Sequence, residues 1–166
     1  MAAVIVVVAL LALPLQGVHE APANAPSAGR LAPATEPGEP LTVSGVVVRE
    51  DGSPIAGASL YVYQTDREGY YGVKPASDSR NPRLKLFLRS DTKGAWSFDT
   101  IRPGSYPGSR VPGHIHFEIA APDGVTRVFE IVLEGDPFVT DAMRSNRMFS
   151  VRPIQNGRVT ERIVMP

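Results

Sequence analysis

The chain has 166 residues, with seventeen basic and seventeen acidic side chains and a formal net charge of zero. Hydrophobic residues make up 43% and charged residues 20%, which suits a packed globular domain and excludes a fibrous or disordered body. The balanced charge argues against nucleic acid as a partner, because phosphate binding needs a concentrated basic face.

The N-terminal segment is typical of an exported protein. Residues 2–13 form a continuous apolar run, which is too short to span a membrane because a spanning helix needs about 20 residues. Its length is typical of a secretory signal peptide, and Ala21-Pro22-Ala23 carries small residues at the positions that a signal peptidase inspects. We therefore expect residues 1–23 to be a signal peptide, no stable membrane span, and a secreted or periplasmic protein.

The next segment, residues 24–40, is rich in Pro and Ala and nearly free of aromatic and β-branched residues. Such a composition offers little apolar surface to bury. The sequence therefore predicts a disordered linker over residues 24–40 and one folded domain over residues 41–166.

The folded part is predicted to be all-β. Turn-forming Gly, Pro and Asp residues separate eight short β-rich runs: 43–48, 58–64, 84–89, 95–99, 115–120, 126–133, 148–152 and 159–164. This pattern is typical of a single β-sandwich of about eight short strands with long loops. Turn residues at 50–54 favour a hairpin or a Greek key between the first two runs, and Asn156-Gly157 favours a hairpin between the last two. Residues 141–147 permit about two helical turns at most.

Two of the three histidines are candidates for a metal site. His114 and His116 are spaced two apart on a predicted strand, so both imidazoles project from one face, close enough to share an ion. The third, His19, lies in the predicted signal peptide. The sequence contains no cysteine, so any further ligands must be His, Tyr, Asp or Glu.

The identity of the metal depends on those further ligands. A cupin site does not fit, because Glu118 follows His116 too closely and no later histidine exists. Zinc usually takes Cys or a third His, whereas a ferrous site with two His and one carboxylate stays open. Phenolate oxygen is the remaining possibility: Tyr70, Tyr71 and Tyr106 lie in turn-rich segments, and Tyr61 and Tyr63 are interpreted as packing residues of a strand.

Several blocks of the chain resemble a known family. SGVVVREDGSPIAGASLYVYQTDREGYY, LRSDTKGAWSFDTIRPGSYPG, HIHF and LEGDP, over about residues 43–137, are similar to the intradiol ring-cleavage dioxygenases, which include protocatechuate 3,4-dioxygenases and catechol 1,2-dioxygenases. The specific part is the order Gly-x-Tyr, Pro-Gly-x-Tyr-Pro, His-Ile-His-Phe. The first two blocks are less specific, because transthyretin-like and carboxypeptidase-regulatory sandwiches share their pattern of a G-x-P-x-x-G-A hairpin followed by an Asp-x-x-Gly turn. A non-catalytic binding module and a metal-holding relative without activity therefore remain alternatives.

The resemblance implies a ligand set and a reaction. In that family two tyrosinates and two histidines hold one non-haem ferric ion, and the matching positions here are Tyr71, Tyr106, His114 and His116. The implied substrates are a catechol and O₂, and the ring is cleaved between its hydroxyl-bearing carbons to give a cis,cis-muconate. Two tyrosinates and one hydroxide neutralise Fe(III), and Tyr106 occupies the position of the tyrosine that leaves when a catechol dianion binds. Tyr106 is thus implied to be catalytic as well as a ligand.

Two positions depart from the family pattern. Larger members have Arg-Pro-x-His-x-His, but here Val111 stands at the arginine position and Arg110 lies one residue earlier. We expect the Arg110 guanidinium to reach the substrate from this shifted position. The alternative is that Arg110 is a solvated loop residue, in which case Arg89 or Arg102 becomes the next candidate. The family tends to have Gln where this chain has Glu130, which changes the polarity of the pocket. The sequence leaves the particular catechol and the oligomeric state open.

Overall fold

The computed structural model describes residues 17–166, which form nine strands and one short helix. The elements are β1 (Ala28–Arg30), β2 (Pro40–Val48), β3 (Ser59–Gln64), β4 (Leu84–Arg89), β5 (Ala95–Ile101), β6 (His114–Ala120), β7 (Thr126–Leu133), α1 (Asp141–Ser145), β8 (Phe149–Arg152) and β9 (Arg158–Val164). The all-β prediction is confirmed, and each of the eight predicted runs is a strand, β2 to β9. No helix within residues 17–166 is long and apolar enough to cross a membrane.

The strands form two sheets that enclose the core. Their orders are β1-β5-β2-β9 and β4-β3-β6-β7-β8. Each strand points alternate side chains inward. In β6 the inward residues are Ile115, Phe117 and Ile119, all fully buried in the apolar core. The alternate residues of β6, which include His114 and His116, therefore face outward from the five-stranded sheet.

The turn signals predicted chain reversals correctly but not strand pairing. Asn156 (φ 51°) and Gly157 (φ 71°) do form a tight turn. The predicted β8–β9 hairpin is nevertheless wrong, because β8 pairs with β7 and β9 pairs with β2 in the other sheet. β9 pairs with β2 over seven residue pairs, whereas β8 is only four residues long. Likewise β2 and β3 lie in different sheets, so of the two arrangements considered for them the hairpin does not occur.

The prediction of a disordered linker over residues 24–40 is wrong. Within it β1 pairs in parallel with β5, and the backbone N–H of Leu31 donates to the carbonyl of Asp99 at 2.8 Å. Leu31 and Ala32 are buried in the core. Backbone hydrogen bonds to a sheet edge do not require apolar side chains, so the Pro/Ala-rich composition concealed the strand.

The residues just before this segment also pack on the five-stranded sheet. The His19 ring lies 4.6 Å from that of Tyr61, and its Nδ1 is 2.9 Å from a carboxylate oxygen of Glu118. The Arg89 guanidinium donates to the carbonyls of Ala21 (2.7 Å) and Pro22 (2.9 Å). The apolar run at 2–13 lies outside the described residues, and cleavage after Ala23 stays a prediction.

These contacts predict that residues 17–23 stabilise the fold. A chain covering 24–166 lacks the two carbonyls that accept hydrogen bonds from Arg89. It also lacks the Ala21 N–H that donates to the buried Ser59 hydroxyl at 2.7 Å. We expect it to be about 1–3 kcal/mol less stable than a chain covering 17–166, since half-buried polar groups lose partners. Urea unfolding of the two purified proteins measures the difference, and equal stability would show that the segment contributes nothing.

Candidate metal centre

Strand β6 supplies the two histidines at its start. His114 is 5% exposed and His116 is half-buried, both on the outer face of the sheet. The backbone N–H of Gly113 donates to the carboxylate of Asp136 at 3.0 Å, which holds the strand entrance against the turn after β7. This contact gives a structural role to Asp136, the aspartate of the LEGDP block.

Two loops bring the tyrosines to the histidines at the start of β6. Tyr71 belongs to the β3–β4 loop and Tyr106 to the β5–β6 loop, which start in different sheets. The fully buried Gln64 at the end of β3 donates to the carbonyl of Ile101 at 2.9 Å and accepts from the hydroxyl of Thr100 at 2.9 Å. Because this amide ties the ends of β3 and β5 together, both loops leave from one place.

Backbone contacts then hold the loops against each other. The N–H of Gly104 donates to the carbonyl of Asp66 at 2.9 Å. A Cβ on Gly69 would lie 1.9 Å from the carbonyl oxygen of Ser105, and one on Gly104 would lie 2.4 Å from that of Arg67. The glycines of Gly-x-Tyr and Pro-Gly-x-Tyr-Pro are therefore required by this close approach, which only a residue without Cβ permits.

The four predicted ligands converge on one point. The Tyr71 hydroxyl lies 2.5 Å from the Tyr106 hydroxyl and 2.6 Å from Nε2 of His116. The Tyr106 hydroxyl lies 3.0 Å from Nε2 of His114, and the two Nε2 atoms are 3.0 Å apart. Two oxygens and two nitrogens thus form a closed ring of potential metal donors.

Neighbouring groups orient both imidazoles. His114 donates from Nδ1 to the carbonyl of Pro112 at 2.8 Å, which leaves its Nε2 unprotonated and facing the ring of donors. Burial, and then the charge of His116, lower the pKa of His114 and favour the neutral form that binds metals. Tyr63 stacks on the face of His116 with ring centres 4.3 Å apart. This role of Tyr63 was missed, because only the β3–β6 register, in which the two residues are paired, reveals it.

The electrostatics of the phenols favour a cation between them. Burial raises the pKa of Tyr71 far above its ordinary value, and the contact with Tyr106 raises it further. Burial also raises the pKa of Tyr106, although its hydrogen bond with Tyr71 opposes this. No lysine or arginine among residues 17–166 hydrogen-bonds to either phenol. A bound metal ion would supply the missing positive charge and deprotonate its ligands. Two phenolates and two neutral imidazoles suit a hard cation such as ferric iron.

A carboxylate lies beside the same histidines. Glu130, on β7, pairs directly with His116 in the β6–β7 register, and its Oε1 lies 3.3 Å from Nδ1 of His116. Burial would raise the pKa of Glu130, but the contacts with His116 and His114 outweigh it and lower that pKa. Ligand atoms of His114, His116 and Glu130 lie within 4.8 Å of one another, as a two-His, one-carboxylate site requires. The phenol oxygens nevertheless approach the Nε2 atoms more closely than Glu130, which is 4.0 Å from Nε2 of His114.

Arg110 makes no hydrogen bond with these donors. It is exposed on the β5–β6 loop, and it forms no hydrogen bond or ion pair with any residue between 17 and 166. The candidate catalytic guanidinium therefore has no protein partner within the described chain.

The fold and the donor set together define a class: a β-sandwich with two tyrosines and two histidines gathered on the outer face of one sheet. A family model described as "Dioxygenase" matches residues 16–161. The chain belongs to the intradiol ring-cleavage dioxygenase family. The match begins before residue 41, so the domain extends further towards the N-terminus than the sequence analysis predicted.

Individual relatives agree with this assignment. The chain is 31% identical over 131 residues to catechol 1,2-dioxygenase 2 of Acinetobacter lwoffii, covering 68% of this chain and 46% of that protein. It is 33% identical over 115 residues to a hydroxyquinol 1,2-dioxygenase of Nocardioides simplex, covering 60% and 39%. The chain thus spans less than half the length of these curated relatives.

Solved structures share the fold. The dioxygenase domain of a dioxygenase carbohydrate-binding protein fusion from Streptomyces sp. SirexAA-E superimposes with a TM-score of 0.63 and 22% identity, over 89% of this chain and 97% of that one. Catechol 1,2-dioxygenase from Pseudomonas arvilla C-1 gives a TM-score of 0.66 and 20% identity, over 90% and 61%.

An ion pair between the N-terminal segment and the Tyr71 loop predicts a pH-dependent stability. The Arg83 N–H donates to the carbonyl of Tyr71 at 2.7 Å, and its guanidinium binds Glu36 through two hydrogen bonds of 2.6 and 2.8 Å. The hydrogen bond from Arg83 lowers the pKa of Glu36 in the folded protein. This stabilisation is therefore complete above the ordinary carboxyl pKa and is lost as the pH falls through the lowered one.

Glu36→Gln should accordingly lower the free energy of unfolding by about 1 kcal/mol at pH 7. The difference from the unsubstituted protein should vanish in acid below the native pKa of Glu36, where both side chains are neutral. Urea unfolding across this pH range measures it. Glu134→Gln is the control, because its pair with Arg144 is exposed. A pH-independent effect of Glu36→Gln would contradict the assignment.

Proposed function

We propose that this chain is a non-haem Fe(III) dioxygenase that cleaves a catechol ring between its two hydroxyl-bearing carbons with O₂, giving a cis,cis-muconate-type product. The observation that carries the proposal is the closed ring of two phenol oxygens and two imidazole nitrogens, spaced 2.5–3.0 Å apart. Membership of the intradiol family supports the reaction type. A non-catalytic binding module would have no use for such a donor set.

Tyr71, Tyr106, His114 and His116 would hold one ferric ion per chain. A ferric ion bound there would supply Lewis acidity toward the catechol and the redox chemistry needed for a reaction with O₂. The chain contributes the anionic donors and the neutral imidazoles.

The two tyrosines differ in how firmly they are held. Tyr71 is 3% exposed, and the backbone of Arg83 binds its carbonyl, which suits a permanent ligand. Tyr106 is half-buried on a loop whose next residues, Pro107 and Gly108, are exposed. Tyr106 is therefore the phenol that can swing away and accept a proton at its oxygen from the incoming catechol.

Arg110 is proposed to act on the substrate. Its guanidinium is exposed and unpaired within residues 17–166, so it is available to an electron-rich catecholate ring during the reaction. Arg110→Ala should then lower kcat more than it changes KM, while iron content and colour stay as they are.

The activity is tested on the iron-loaded protein with catechol and hydroxyquinol. We expect O₂ uptake matched by the ultraviolet absorbance of a ring-opened diacid. His116→Ala should abolish iron retention and turnover, because it removes one of four donors, whereas His19→Ala should keep both. Iron bound without turnover would identify a metal-holding relative that lacks activity, and stoichiometric iron in His116→Ala would exclude the proposed site.

The two tyrosine ligands should also determine the colour of the protein. Tyrosinate-to-iron(III) charge transfer should make the iron-loaded protein red-brown, and Tyr71→Phe should shift or weaken this visible band. Tyr63→Phe is the matched control: its hydroxyl has no hydrogen-bond partner in residues 17–166, and Phe keeps the stacking on His116. If both substitutions alter the band equally, the ligand assignment is wrong.

Export through the N-terminal segment is proposed on the apolar run at residues 2–13. The intact mass of the protein recovered from outside the cytoplasm tests it, and it also locates any cleavage relative to His19.

A further inference from the structure

We propose that Glu130 is a positioning residue whose carboxylate accepts a hydrogen bond from Nδ1–H of His116 and strengthens His116 as an iron ligand through its negative charge. This inference rests on the ferric site proposed above. It concerns a residue in which this chain departs from the glutamine of the family pattern.

The sheet register places the two side chains together. Glu130 on β7 lies directly opposite His116 on β6, on the outer face shared with the donor ring. Its Oε1 is 3.3 Å from Nδ1 of His116. The ring face of His116 is covered by Tyr63, so its orientation is restricted on two sides. With Nδ1 turned to Glu130, Nε2 is directed at the Tyr71 hydroxyl.

The charged groups around Glu130 indicate that it acts on the two histidines. Its salt-bridge contacts within residues 17–166 are His116 and His114, with no lysine or arginine among them. The carboxylate is partly withdrawn from water, its side chain being 24% exposed, so its field on the imidazole is only partly screened. A carboxylate that accepts from a ligating histidine raises the basicity of the metal-binding nitrogen. Glutamine can accept the same hydrogen bond but carries no charge.

A direct role for Glu130 as an iron ligand is the competing explanation. Its nearest imidazole atom is Nδ1 of His116, the ring nitrogen that ligation through Nε2 leaves free. Its distance to Nε2 of His114 is 4.0 Å, against 3.0 Å for the Tyr106 oxygen. The geometry therefore places the carboxylate behind His116 rather than among the donors.

Glu130→Gln separates charge from hydrogen bonding. In the iron-loaded protein we expect full iron content, a visible band at longer wavelength and a higher Fe(III)/Fe(II) potential. A weaker histidine donor leaves the ferric centre poorer in electrons, so charge transfer from phenolate needs less energy. A tenfold loss of preference for ferric over ferrous iron corresponds to about 59 mV. Glu130→Ala should additionally weaken iron retention by about 10-fold or more.

Glu118→Gln is the matched control. Glu118 lies on the same sheet face two residues after His116, but its carboxylate contacts His19. The substitution removes one negative charge and should leave band and potential unchanged. An unchanged band and potential in Glu130→Gln overturns the proposal, as does loss of iron in that variant, which would identify Glu130 as a ligand.

A second measurement does not require iron. In the metal-free protein, ¹⁵N NMR of the imidazoles should show His116 with its proton on Nδ1, and Glu130→Ala should redistribute it. An unaltered tautomer in Glu130→Ala overturns the proposal. The two failures are distinguishable: a colourless protein that binds no iron refutes the proposed function, whereas a coloured, active protein insensitive to Glu130→Gln refutes this inference alone.

Discussion

The buried amide of Gln64 is the contact on which the candidate site depends. It joins the end of β3 to the end of β5 across the two sheets, through the carbonyl of Ile101 and the hydroxyl of Thr100. An unpaired amide in such a place is costly, so the two strand ends stay together. Both tyrosine-bearing loops begin at this junction, and their backbones touch where two glycines allow it. The two phenols meet because the strands from which their loops leave are joined at their ends.

The core and the site use opposite faces of the same strand. In β6 the inward positions hold Ile115 and Phe117, which pack between the sheets, while His114 and His116 point outward. Both imidazoles therefore lie outside the apolar core. At this patch Tyr71 and His114 are buried, whereas Tyr106 and His116 are half-buried.

Charge on the phenols and on His114 is costly at this patch in the absence of a cation. Burial opposes ionisation of both phenols and protonation of His114, and Glu130 adds a carboxylate beside the imidazoles. A trivalent cation would make all these preferences compatible, since it would bind phenolate and neutral imidazole and be stabilised by nearby negative charge. The arrangement is thus better explained by metal binding than by stability, because each of these groups costs free energy to bury.

The sequence by itself determined the local features of this protein. Alternation and turn residues predicted β2 to β9, and spacing placed both histidines on one face. The motif order of the family then indicated Tyr71 and Tyr106. Only the tertiary structure decided how the strands pair: β1, whose composition suggested a linker, lies at a sheet edge, and the Asn156-Gly157 turn separates strands of different sheets. The contacts of Tyr63 and Glu130 with His116 also appeared only there. Side-chain periodicity and turn chemistry are local properties, whereas sheet register and loop convergence arise from contacts between residues far apart in the chain.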